Sequence, residues 1–203
     1  GGAVNLITPR ARFSPESTLG GRFGLGLGTT KSGALLVERS GPDHALVIGA
    51  AANDTDDYRS PDGREPDTGY RSDSLLAKYA FRVAPGVSLR LNLQRHAVHD
   101  VWYPGSARTG GRPGGAGIPP PLGTVTIRSP EQRRELAEFG LDAQLGPRQL
   151  SAEVWRQDVF RQIRAFSARL GRDYVRNDVT FSTGGVRARY VLPMGEAQML
   201  TAG

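Results

Sequence analysis

The sequence predicts an all-β chain: an antiparallel, up-and-down transmembrane β-barrel, present in part as eight strands and the start of a ninth. Three observations lead there. Apolar residues recur with period two, not 3.6, as in a strand with one face in an apolar medium. The connections between these segments switch between short and long. The composition is rich in turn formers, with 27 Gly and 14 Pro in 203 residues, while apolar content is only 38%. A sheet that must be apolar on one face only, around a polar interior, calls for that intermediate value.

The alternation appears first in Thr18 to Thr29, where Leu19, Gly21, Phe23, Leu25 and Leu27 alternate with Gly20, Arg22, Gly24, Gly26 and Gly28. A short link follows near Thr30 to Ser32, then another at Gly41-Pro42-Asp43, then a long one from Arg59 to Gly69. Leu75, Ala77, Tyr79, Phe81 and Val83 set Lys78 and Arg82 on the other face. Past Pro85-Gly86, Val87, Leu89, Leu91 and Leu93 alternate with Ser88, Arg90, Asn92 and Gln94 in a segment reaching Tyr103. The next link, Pro104 to Arg128, is very long. Ser129-Pro130-Glu131 has the composition of a helix start. From about Glu135, however, Ala137, Phe139, Leu141, Ala143 and Leu145 alternate with Glu138, Gly140, Asp142 and Gln144, which predicts a strand. Gly146-Pro147-Arg148 is short, Gln149 to Ala165 is a further strand, and Phe166 to Asn177 is read as a long loop. Val179, Phe181 and Thr183 then run in one phase, and Val186, Ala188, Tyr190 and Leu192 in the other, so a β-bulge is expected at Gly184-Gly185. A short turn at Pro193 to Glu196 precedes the start of a ninth strand in Gln198 to Gly203.

In a meander every second connection lies at the same end. Short turns at one rim and long loops at the other are the pattern of outer-membrane barrels. A soluble β-sandwich also has alternating strands, but they average ~5–6 residues and give no reason to sort loops by parity. No stretch approaches the ~20 apolar residues of a membrane-spanning helix. No signal peptide opens the chain, so an exported protein would have its start elsewhere. The net charge of +6 raises nucleic-acid binding, but the Arg residues are spread along the whole chain and form no basic cluster. With no cysteine, disulfides and thiolate metal sites are excluded.

Gly1-Gly2-Ala3-Val4-Asn5-Leu6-Ile7-Thr8 resembles the Gly-Gly-x-Val-Asn-Ile-x-Thr segment that closes the plug domain of TonB-dependent outer-membrane receptors. Asn53 to Tyr70, with Asp57-Tyr58-Arg59-Ser60-Pro61-Asp62-Gly63 and Thr68-Gly69-Tyr70-Arg71, looks like the second extracellular loop of many such receptors, and Asp100-Val101-Trp102-Tyr103-Pro104-Gly105 precedes a long loop as it does there. The resemblance implies that residues 1–12 end a plug domain and that residues 17–203 begin a barrel of about 22 strands with a plugged lumen. The sheet would have two open edges and would not be expected to fold alone. Signal peptide, TonB-contacting box, most of the plug and the later strands of the family pattern lie outside this sequence. By resemblance, the activity is import across the bacterial outer membrane of a scarce nutrient, a ferric siderophore or haem, energised through the TonB complex. The alternatives are a passive porin-like channel and a soluble β-sandwich binding module.

No catalytic grouping emerges, and the expectation is a non-enzyme with no cofactor of its own. The candidate ligand contacts are Tyr58, Arg59, Tyr70, Arg71, Trp102 and Tyr103, near the long-loop end, where aromatic and Arg side chains suit an anionic or aromatic iron chelate. The same residues fit an aromatic girdle at the lipid interface, to which Trp155 and Phe160 would also belong. His96 and His99 are three apart and point to opposite faces of a strand, so they do not chelate one ion. Asp54, Asp56, Asp57, Asp62 and Asp67 form an oxygen-rich loop without the spacing of an EF-hand. Gly24, Gly26 and Gly28 recur as in a phosphate loop but lack the helix that such a loop opens; as small residues on the lumen face they would let a plug pack closely. Arg22, Lys78, Arg82, Arg90, Glu138, Asp142, Glu153, Arg187 and Arg189 are expected to line the lumen, pairing with each other or with the plug.

Overall fold

Alternating sequences make strands, and here each strand pairs with the next. The computed structural model describes residues 9–61, 63–108, 123–193 and 199–202. Nine strands form one antiparallel sheet: β1 (Thr18–Gly26), β2 (Thr30–Ser40), β3 (His44–Thr55), β6 (Tyr70–Ala84), β7 (Val87–Arg108), β8 (Val125–Leu145), β9 (Arg148–Ser167), β10 (Arg172–Pro193) and β11 (Met199–Ala202). β4 (Arg59–Ser60) and β5 (Gly63–Arg64) make a separate small hairpin within the β3–β6 connection. Strand order equals chain order, so the sheet is an up-and-down meander. It is open, with β1 and β11 at its edges. There is no helix among the described residues. The plug-end motif Gly1 to Thr8 and the turn after Pro193 lie outside the described residues.

The register gives each face its chemistry, because residues opposite one another share a face. One face carries Leu19, Phe23 and Leu25 of β1, Leu35 and Val37 of β2, and Leu46 and Ile48 of β3. It continues through Leu75, Ala77, Tyr79 and Phe81 of β6, then Val87 to Leu93 of β7 and Ala137 to Leu145 of β8. Leu150, Ala152 and Val154 of β9 and Val186, Ala188 and Tyr190 of β10 complete it. All nine residues expected to line a lumen lie on the opposite, polar face.

Buried residues lie at both ends of the sheet: Ala97, Val125, Ala165 and Ser167 toward the loops, and a small group at the short-turn end of the polar face. There the 9–17 segment crosses the strands. The Arg82 guanidinium lies 4.8 Å from the centre of the Phe13 ring, and Ser14 N donates to Gly41 O. Beneath the segment Val47 is 2% exposed, with Ala45 and Ala80 equally enclosed.

Three local expectations are corrected. The Phe166 to Asn177 loop is a four-residue turn, because β9 runs to Ser167 and β10 resumes at Arg172. β8 begins at Val125, well before Glu135, and Pro130 sits where the β8–β9 register shifts between Arg128 and Gln132. A bulge is where a strand tolerates proline, which brings no N–H to the ladder. Gly184-Gly185 is not a bulge: Thr183 to Val186 pair without interruption with Gln157 to Val154. Gly185 instead seats an aromatic ring. A Cβ at Gly185 would fall 3.0 Å from the Trp155 indole.

Candidate ligand-binding site

The long-loop end separates the six candidate residues into different surroundings. Asp57 organises the β3–β6 connection: its carboxylate accepts from the backbone N–H groups of Thr68 and Gly69 and from Arg64 Nε. Those bonds, led by the one from Gly69, hold its pKa below the usual carboxylate range. Tyr58 N in turn donates to Thr68 Oγ1, while the Tyr58 ring stays exposed. Arg59 begins β4. Tyr70 and Arg71 open β6. Arg71 pairs with Asp100, whose left-handed backbone (φ 60°) kinks β7.

Beyond that kink Trp102 and Tyr103 go separate ways. Trp102 meets Phe166 edge-on at 5.3 Å, and Arg128 lies over both rings. The Arg128 guanidinium makes a two-pronged pair with Asp173 at 2.8 and 2.7 Å. That pairing draws the Asp173 carboxyl down and the Arg128 guanidinium up from their ordinary pKa values. Tyr103 Oη accepts from Gln132 Nε2 and Arg161 Nη2, each at 2.8 Å. Both of those partners belong to the polar face. The histidines also diverge. His96 Nδ1 shares a hydrogen bond with Ser74 Oγ on the polar face, and His99 Nε2 meets Asp73 on the apolar-banded face.

The two faces differ along their length. On the banded face the apolar stretch gives way toward the loop end to a network of polar and charged groups: His99–Asp73–Arg95–Glu135–Arg133–Glu131, each contact between 2.9 and 3.8 Å. On the polar face near the turns, arginines pair with carboxylates: Arg22 with Glu38, Arg90 with Glu138 and Asp142, and Arg187 with Glu153. Nearer the loops, Arg134 donates to Gln157 and Arg161 to Tyr103, both neutral acceptors. Sequence reasoning passed over Arg134 and Arg161. Their signal was present, since Arg134 keeps the phase of Glu138 and Asp142.

The edge of the apolar band is oblique to the hydrogen-bonded rows. The row through Leu25 on β1 runs by Gly33, Ala52, Asp73 and Ala97 to Arg133, inside that network. The uppermost apolar residue on β10, Val186, lies in the row of Val154 and Phe139, six residues lower on β8. The lower edge descends likewise: Leu19, at the foot of β1, is in the row of Phe139, below which β8 continues to Leu145. Six residues at ~3.3 Å over seven strand spacings of ~4.8 Å correspond to a slope of about 30°.

Compared with known proteins, the chain matches no family model, no curated protein and no solved structure.

Proposed function

We propose that this chain is part of the wall of a bacterial outer-membrane β-barrel, in a receptor of the TonB-dependent type that imports a scarce nutrient such as a ferric siderophore or haem. The oblique apolar band carries the reading. In a barrel the strands tilt by about 35–45° to the axis, while the lipid layer stays level. A level apolar zone must therefore descend across the rows from strand to strand, and the slope of about 30° is close to that requirement. On β8 the band from Ala137 to Leu145 is about 26 Å along the strand, or about 20 Å along the membrane normal at a 40° tilt, near the ~25 Å of such barrels.

The exposure of the band supports the same conclusion. Leu35, Ile48, Leu75, Phe139 and Val154 are each about half exposed and share that face. Together with their neighbours they form a patch on the order of 1,000 Å², more than soluble monomers leave in water. A β-sandwich would bury the patch under a second sheet, and the described residues supply only the small β4–β5 hairpin besides the main one. The receptor reading, beyond a barrel wall, rests on Gly1 to Thr8 and on the 9–17 segment lying across the polar face, as the end of a plug would.

Single-cysteine labelling in the full-length gene product tests the barrel, and these 203 residues contribute no cysteine of their own. In outer membranes, cysteines at Leu91, Phe139 and Val154 should resist a water-soluble maleimide and be quenched by a lipid-borne nitroxide. Cysteines at Asn92, Glu138 and Gln157 should do the reverse. Equal labelling of the two sets by the maleimide would refute the reading.

A further inference from the structure

We propose that the loop-end half of the polar face, across β7 to β10, holds a binding site for a ligand with an anionic oxygen group on a flat apolar body, with Arg134 and Arg161 as its cationic anchors. The inference rests on the barrel reading, which makes this face the wall of an enclosed lumen.

The first observation is a charge imbalance. From Gln94, Leu136 and Gln157 toward the loops, the paired segments of β2, β3 and β6 to β10 place no carboxylate on the polar face, where Arg134, Arg161 and His96 stand among neutral groups, with Arg172 opposite Ser167 at the rim. Nearer the turns Arg90 and Arg187 of the same face have carboxylate partners, and Arg22, in the row of Gln94, pairs with Glu38 on the turn side of that row. The difference is local to the loop-end half, and two guanidiniums on adjacent strands raise the potential there for an anion.

The second is an incomplete hydrogen-bond set. Among the described residues the one buried side-chain polar atom without a hydrogen-bond partner is Arg161 Nε. Its Nη2 has only the Tyr103 phenol. A guanidinium offers two parallel N–H groups that a carboxylate or phosphate takes together, and turning Arg161 toward the lumen to receive one would satisfy the orphaned donor.

The third is an apolar flank beside the two arginines. Val159 and Phe181 are opposite one another on the polar face, next to Arg134 in the same row, and Phe181 is 61% exposed. An aromatic edge beside two arginines suits a ring that carries the anion.

The test uses the full-length receptor in detergent and three probes observed by NMR: 4-(trifluoromethyl)benzoate, inorganic phosphate, and neutral 4-(trifluoromethyl)benzyl alcohol, which reports detergent partitioning. The benzoate should bind the receptor above the alcohol background. Arg161→Gln and Arg134→Gln should each weaken it about tenfold, the scale of losing a charge-assisted contact. Phe181→Ala should weaken the benzoate but leave phosphate binding unchanged, and Arg189→Gln, lower on the same face, should leave both unchanged. Absence of benzoate binding to the unmodified receptor, or full binding by the two Arg variants, overturns the proposal. Labelling of Gln157→Cys separates the failures: water access there keeps the barrel reading while the site falls, and exclusion of water defeats both.

Discussion

Replacing Leu91 by arginine measures the medium outside the banded face. Leu91 is 40% exposed, between Tyr79 and Phe139 in its row, with Leu89 and Leu93 of the same band on either side along β7. If water bathed that face, Leu91→Arg would forfeit only the buried part of the side chain, about 1 kcal/mol from a full burial of about 2. In a bilayer the new guanidinium would lie inside the apolar zone, where an outward-facing Arg costs about 2–4 kcal/mol near the midplane. The gap of about 1–3 kcal/mol is about a fivefold to hundredfold change in the folding equilibrium. Equilibrium unfolding of the full-length protein in lipid vesicles, followed by tryptophan fluorescence, reads it. Gln94→Arg on the polar face, three residues along the same strand, should change stability by less than about 1 kcal/mol. A cost for Leu91→Arg of about 1 kcal/mol or less, equal to that of Gln94→Arg, would refute the lipid assignment however well the band slopes.

Three further outcomes follow from local geometry. Gly185→Val should displace the Trp155 indole, because even a Cβ would be 3.0 Å from it; a loss of about 1–3 kcal/mol and a shifted Trp155 emission maximum are expected, and an unchanged spectrum would contradict the seating of that ring. Asp173 has its pKa lowered by Arg128, so its contribution to stability is present above the usual carboxylate pKa and lost as pH falls through the depressed native value; acid titration of Asp173→Asn against the parent should show a shallower decline in that window, and parallel curves would count against the pairing. Asp57→Ala removes the acceptor of two backbone N–H groups and of Arg64, so the 56–69 connection should be nicked faster by trypsin while the global unfolding midpoint stays where it is.

Much of this fold was legible because one physical rule, side-chain period two, acts locally. Arg22, Lys78, Arg90, Glu138 and Arg187 could be assigned to one face from their neighbours alone, and the register places all of them there. Local patterning failed where the medium changes along a strand. Val179 and Phe181 are apolar on the polar face, while Val186 and Ala188 are apolar on the other, so the alternation jumps phase without any backbone irregularity. The mismatch looked like a bulge, and the Gly pair at the switch reinforced that reading, although Gly185 is small because the Trp155 indole lies over it. Real irregularities stand where the pattern gave no warning, at Asp100, whose backbone is left-handed, and at Pro130 in β8.

The candidate site was less legible for a related reason. Trp102 and Tyr103 are adjacent in sequence and seemed one aromatic unit, yet the chain leaves the Asp100 kink with Trp102 beside Phe166 and Tyr103 bonded to Gln132 and Arg161. Arg161 likewise lies 58 residues from Tyr103 in the chain, too far for any local motif. A lining of this kind becomes visible only when the register of four strands is known. The phase break at Gly184-Gly185 and the cationic patch are then two views of one arrangement. Phe181 leaves the apolar phase of its strand to stand on the polar face, in the row that also holds Arg134. An apolar ring so placed costs solvation without shielding a core, and a ligand body seated against it would recover that cost.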